Sequence, residues 1–231
     1  MRIFKDIILP LLFVGATTAA SLLLLNTVEV GQRESAPAEE AGELLPKHAC
    51  KISIYDNVFR RVGKTAGIDW RLMSAIAYHE SRFREDAVSV RGAVGVMQIM
   101  PHVADKYGVS TSELLDPICN IELSAKIIKG MERSMQLPKQ IDANDRMAIM
   151  LACYNGGYAH ISDACNLAEF YGENKYSWDT VAEYLWLLSD ADFYNHEVVI
   201  FGAFRGSDET IKYVEAVMSR YNYYCKKAAL D

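Results

Sequence analysis

The sequence predicts a mainly α-helical domain, on three observations. Beyond residue 50, apolar residues recur at three- and four-residue spacing, alternating strand patterns are scarce, and glycine and proline punctuate the helical runs. Tyr55, Val58, Phe59 and Val62 form the apolar stripe of a first helix. Asp69 is placed to cap a second, whose Leu72, Met73, Ile76 and Ala77 make a core face running up to Glu80 near its C-terminal end. Residues 84–95 hold two glycines and several charges and read as a loop. Pro101 can start a short helix that Gly108 ends, and Asp116-Pro117 marks a turn. Ile121, Ala125, Ile128, Met131 and Met135 continue the helical spacing, and a further helix from about residue 145 to 153 stops at Gly156-Gly157. Residues 178–188 and 210–221 give two more. No repeat at a fixed period is present, which argues against a solenoid.

A chain of 231 residues, half of them apolar, can bury the core of one globular domain with some chain to spare. A net charge of -6 and a pI near 5.4 lack the basic footprint that phosphate contacts need, so nucleic acid is not an expected partner. The spare chain is N-terminal. Arg2 and Lys5 precede an apolar run over residues 7–25, interrupted only by Pro10 and small residues, which reads as an export segment over residues 1–26. Small residues over positions 16–21 suit a signal peptidase, while the run is almost long enough to span a bilayer, so a cleaved signal peptide and a retained membrane anchor both stay open. Residues 27–50 mix Glu, Ala, Pro and Gly with little periodicity and read as a flexible tether, leaving residues 51–231 as the folded domain.

All five cysteines, Cys50, Cys119, Cys153, Cys165 and Cys225, follow the export segment, where an oxidising compartment permits disulfides. Cys50 and Cys225 lie near the two ends of the domain and could bridge them, Cys153 sits in an apolar helical run as a small buried residue, and the odd count leaves at least one thiol unpaired. None forms a CxxC pair or a His/Cys spacing that suits zinc, so no metal site is expected.

Glu80 stands out for its position. It follows Ile76 and Ala77 at four and three residues, so it lies along the apolar side of its helix, where a carboxyl keeps its proton to higher pH. That is the property a general acid needs near neutrality. His79 beside it lacks the second histidine of an HExxH pattern, which removes the zinc protease reading.

Four strings surround this glutamate in order: HESRF at 79–83, GVMQIMP at 95–101, CYNGG at 153–157 and ETIKYV at 209–214. Together they resemble the motifs of the Slt-type lytic transglycosylases, which have the lysozyme-like fold of glycoside hydrolase family 23, and within it the catalytic domains of its membrane-bound members. The resemblance spans residues 54–221 and implies a lysozyme-like (goose-type/SLT) domain acting on peptidoglycan glycan strands in the cell envelope, as a monomer without metal or organic cofactor. Residue by residue, it implies that Glu80 is the catalytic acid and base, and that Ser81 helps hold the acetamido group or the carboxylate. Gly95 would let backbone approach the sugar, Met97 would pack on it, and Gln98 would belong to the substrate groove. Tyr154 would lie close to the acid, Asn155 would bind sugar, Tyr213 would close the active-site wall, and Glu209 opens the last motif. Two departures stand out: Cys153 where alanine is common, and Val103 where threonine is common.

Each secondary position also has a purely structural reading: Met97, Ile99 and Met100 as core filler, Asn155 with the two glycines as a helix stop, Tyr213 as helix packing. Two alternatives accompany the expected chemistry, in which the MurNAc-β-1,4-GlcNAc bond is broken without water to leave a 1,6-anhydro end. One is goose-type hydrolysis with Glu85 or Asp86 as a second acid, and the other is a wall-binding module without turnover.

Overall fold

The structure, a computed structural model, describes residues 51–228, so the export segment, the tether and Cys50 lie outside the described residues. Nine α-helices follow one another there: α1 (Asp56–Ala66), α2 (Trp70–Ser81), α3 (Pro101–Asp105), α4 (Pro117–Met135), α5 (Ala143–Gly156), α6 (Tyr158–Phe170), α7 (Trp178–Leu187), α8 (Ala191–Tyr194) and α9 (Ser207–Ala228), with one 3-10 turn, Glu113–Leu115, before α4. No strand occurs among the described residues; two isolated bridges, Val88 with Val94 and Val94 with Ile99, pin the loop after α2. None of the described helices is long and apolar enough to cross a membrane.

Asp69 caps α2 as the sequence suggests, accepting from the Arg71 amide. Asp116-Pro117, expected as a turn, instead opens α4: Asp116 accepts from the Cys119 amide, with Pro117 in the first turn. Phe59, Met73, Ile76 and Ala77 are buried, joined by Ile121, Ile149, Leu151 and Val214 in one continuous core. Each large side chain buried there contributes about 1.5–3 kcal/mol of apolar transfer energy. Helix α2 lies between α1 and α9, and α5 packs on both α9 and α6.

Helix α6 and the short α8 have no counterpart in the sequence reading, and α9 begins earlier and runs further than expected. The pattern of α6 is masked by polar letters: Asp163 is wholly buried, where its carboxylate accepts from the amides of Ile200 and Phe201 at 2.8 Å each. The helix packs on both α5 and α7, so its apolar residues do not gather on one face. The four described cysteines are free thiols, and Cys153 is fully buried as expected.

Helix α2 ends abruptly. Arg82 and Phe83 both take left-handed backbone conformations, at φ 55° and 64°. Non-glycine residues hold that region at a cost of roughly 1 kcal/mol or more each, so packing must hold them in place. The Phe83 ring lies edge-on to Phe59 and Tyr78, with centroids 6.4 and 6.1 Å away. The reversal leaves Glu80 on the last turn of the helix, with the 84–100 loop folded back beside it.

Candidate active site

Glu80 is partly buried, and its Oε1 accepts a hydrogen bond from the Tyr213 hydroxyl at 2.6 Å. Burial raises the carboxyl from its ordinary 4.5 to about 7, and the Tyr213 hydrogen bond only partly offsets that rise. The hydroxyls of Tyr154 and Tyr213 are pushed well above their usual range by burial first and by the Glu80 charge second, so both stay neutral donors. A proton is therefore shared near neutrality by a single carboxyl whose neighbours do not titrate.

A tightly tied loop stands next to this carboxyl. The Ser81 hydroxyl donates to the Val96 carbonyl at 2.8 Å and accepts from the Arg84 amide at 3.1 Å. It is thus engaged by backbone, and the expected hold on the carboxylate is replaced by a tie between α2 and the loop. Tyr154, on the last turn of α5, donates to the Met97 carbonyl at 2.8 Å. The Gln98 amide nitrogen donates to the carbonyls of Ala87 and Gly95, leaving its Oε1 as the acceptor still open.

The residue beneath the loop is Asn120 of α4, wholly buried and missed by the sequence reading. Its amide nitrogen donates to the carbonyls of Val94 and Leu114 at 3.0 Å each, and its oxygen accepts from the Met97 amide at 2.8 Å. Gly95, at φ 80°, sits against it: a Cβ there would meet the Asn120 amide nitrogen at 2.5 Å and the Leu114 carbonyl at 2.6 Å. The glycine therefore serves a close approach to Asn120. Met97 is also fully buried, which matches its structural reading as core filler and leaves its side chain no surface for a sugar. The one signal for Asn120 was an asparagine at a core-facing position, four residues before the buried Ser124 and next to Ile121.

The remaining positions lie on the rim. Asn155 is exposed at the end of α5, and its side-chain oxygen accepts from the buried Thr210 hydroxyl at 2.9 Å, which joins α5 to α9. Glu209, in the first turn of α9, is exposed 3.9 Å from Arg91 of the loop. The two acids considered for hydrolysis are both exposed, and the Glu85 carboxylate is taken by the Tyr55 hydroxyl at 2.9 Å. The structure thus gathers Glu80, Tyr213, Tyr154 and the backbone of the 95–98 loop, and leaves Asn155 and Glu209 at the edge.

Comparison with known proteins identifies relatives of this chain. The model of the Transglycosylase SLT domain family matches residues 57–177, a stretch that contains Glu80 and Tyr154 but ends before α9. The chain is 34% identical over 172 residues to the membrane-bound lytic murein transglycosylase F of Marinobacter nauticus, covering 74% of this chain and 33% of that protein. It has the same identity over 172 residues to the protein of that name from Stutzerimonas stutzeri, covering 74% and 34%. The chain therefore spans about a third of the length of these curated relatives. Among solved structures, an inactive mutant of the lytic transglycosylase Slt of Pseudomonas aeruginosa superposes with a TM-score of 0.51 at 24% identity, over 75% of this chain and 24% of the other, a likeness of fold.

Proposed function

This chain belongs to the Transglycosylase SLT domain family, and from that premise we propose that it is a peptidoglycan lytic transglycosylase with Glu80 as its only acid and base. The observation that carries the proposal is a lone carboxyl raised to about 7, bonded to one tyrosine hydroxyl and with a second tyrosine close by. A group with that pKa is protonated in a large fraction of molecules at neutral pH yet ionises readily once it has given its proton away.

In the first step protonated Glu80 gives its proton to the β-1,4 oxygen between N-acetylmuramic acid and N-acetylglucosamine. The C1–O bond breaks, and the muramoyl acetamido group stabilises the charge growing at C1. In the second step the Glu80 carboxylate takes the proton of the C6 hydroxyl while that oxygen bonds to C1. The product is a 1,6-anhydro end, Glu80 is protonated again, and no water is consumed. Tyr213 donates to the carboxylate between the two steps, when its charge is greatest. The tie from Tyr154 to Met97 keeps the 95–98 loop in register beside the acid, with the open Gln98 oxygen available to the sugar. Ser81 and Gly95 act by holding that loop, while Asn155 and Glu209 face the outer part of the glycan.

Hydrolysis would need a second group to activate water, and the tyrosine hold on Glu85 speaks for the anhydro route. Residues 51–231 would form the catalytic domain, delivered to the periplasmic side of the envelope by the N-terminal segment, whether released or kept at the inner membrane. Mass spectrometry of peptidoglycan digested by the purified chain tests the reaction. Products lighter by one water than their hydrolytic counterparts are expected, and none from Glu80→Gln. Hydrated ends would make the protein a hydrolase, and full turnover by the variant would remove Glu80 from the chemistry.

A further inference from the structure

Helix α4 carries Lys126, Lys129 and Arg133 at spacings of three and four residues, which places all three on one face. That face looks onto α1 across a cleft of about 650 Å³, and Arg61 of α1 adds a fourth cation to its rim. The floor is apolar and made of small side chains, Val62, Ala66 and Ala125 among them, and Tyr107 lines the cleft as well. Gly130 keeps that wall in place, since a Cβ there would meet the Tyr107 hydroxyl at 2.8 Å. The cleft shares no lining residue with the Glu80 site.

The charges are only half neutralised. Arg61 pairs with Glu122 at 3.1 Å and Lys129 pairs with Glu132. Among the described residues, no ion pair engages Lys126 or Arg133. A chain with a net charge of -6 therefore holds, at one place, a cationic rim over an apolar floor. Such a site favours an anionic ligand with small apolar groups. From Lys126 to Arg133 the helix rises about 10 Å, the span of about three residues of extended peptide. The cleft volume falls in the range of small-ligand sites, roughly 300–1,000 Å³.

We propose that the α1–α4 cleft binds a short peptide bearing free carboxylates and small apolar side chains, of the kind attached to the wall glycan, away from the bond being cut. The identity of the peptide's source rests on the transglycosylase reading; the affinity for carboxylates does not. Lys126 and Arg133 would each take a carboxylate, while methyl groups settle on Ala66 and Ala125. Binding there would keep the enzyme on peptide-bearing strands between cleavage events.

Calorimetric titration of the full chain with a short stem peptide freed from peptidoglycan, and with its amide-capped form, tests this. The free peptide should bind wild type and Glu80→Gln equally. Binding should fall about tenfold or more in Lys126→Glu/Arg133→Glu, in the capped peptide and in high salt. Thr65→Trp, which fills the cleft without changing charge, should weaken binding likewise, and neither variant should slow cleavage of peptide-free glycan. Unchanged binding in both cleft variants would overturn the proposal, as would tighter binding of poly-glutamate than of the stem peptide, which would make the occupant a protein segment. Peptide binding by a wild-type chain that forms no anhydro product from peptidoglycan would leave the cleft standing and remove the transglycosylase reading instead.

Discussion

The Tyr213 hydroxyl lies 2.6 Å from Oε1 of Glu80, although 133 positions separate the two residues in the chain. The bond spans the packing of α2 against α9, so the acid and its donor are brought together by the same contact that closes the core. Burial raises the Glu80 carboxyl while this bond lowers it, and the balance lies at about 7.

Tyr213→Phe removes the lowering influence and leaves burial unopposed, so the Glu80 pKa should climb above about 7. The proposed reaction needs the protonated acid, so its rate should fall as pH rises through that pKa. The alkaline limb of the pH–rate profile should therefore move to higher pH, with turnover at neutrality down about tenfold and the fold intact by circular dichroism. An unmoved limb would show that the hydroxyl does not act on the acid.

Glu80 also makes stability depend on pH. Its folded-state pKa, about 7, stands above its ordinary 4.5, so between those values the folded chain binds the proton the unfolded chain has lost. Stability contributed by this group is present below pH 4.5 and declines as pH rises towards 7. Glu80→Gln escapes the decline, and urea melts should find it more stable than wild type by about 3 kcal/mol at pH 8 and nearly equal at pH 4. Equal stability at both pH values would mean that the carboxyl is not buried in solution.

Asn120→Leu keeps the volume but deprives the carbonyl of Leu114 and the amide of Met97 of their partners and the carbonyl of Val94 of one of its two. The Val94 carbonyl still accepts from the Ile99 amide, so two buried backbone groups are left unpaired, which should cost about 2 kcal/mol or more. Turnover should drop further than stability alone explains, because the Met97 carbonyl that receives Tyr154 moves with the loop. A variant that melts like wild type would dismiss Asn120 as the support of the loop.

Much of this was legible in the sequence because it rests on local rules. Asp69 capping α2 and the stripe from Met73 to Ala77 follow from spacing and caps alone, and the same periodicity put Glu80 on a sheltered face. What was hidden depends on contacts made at long range. Helix α6 escaped notice because buried Asp163 serves the distant amides of Ile200 and Phe201 and so interrupts the apolar pattern. Asn120 was passed over for the same reason, since its three partners lie 6 to 26 positions away. Ser81, Gly95 and Met97 were read as holding the acetamido group or the carboxylate, admitting backbone to the sugar and packing on it; each of them also braces the loop or fills the core beneath it. A motif marks which residues stay together and does not separate those facing a ligand from those bracing them.

Because α9 supplies both the hydroxyl bonded to Glu80 and a flank of α2, it completes the site and the hydrophobic interior in a single act of docking. A chain cut at residue 177, the end of the family match, would keep the acid and its braced loop yet lose the partner that tempers that acid. The hydroxyl that tempers the carboxyl and part of the apolar interior are thus put in place by one docking event, so loosening α9 from α2 would disturb both together.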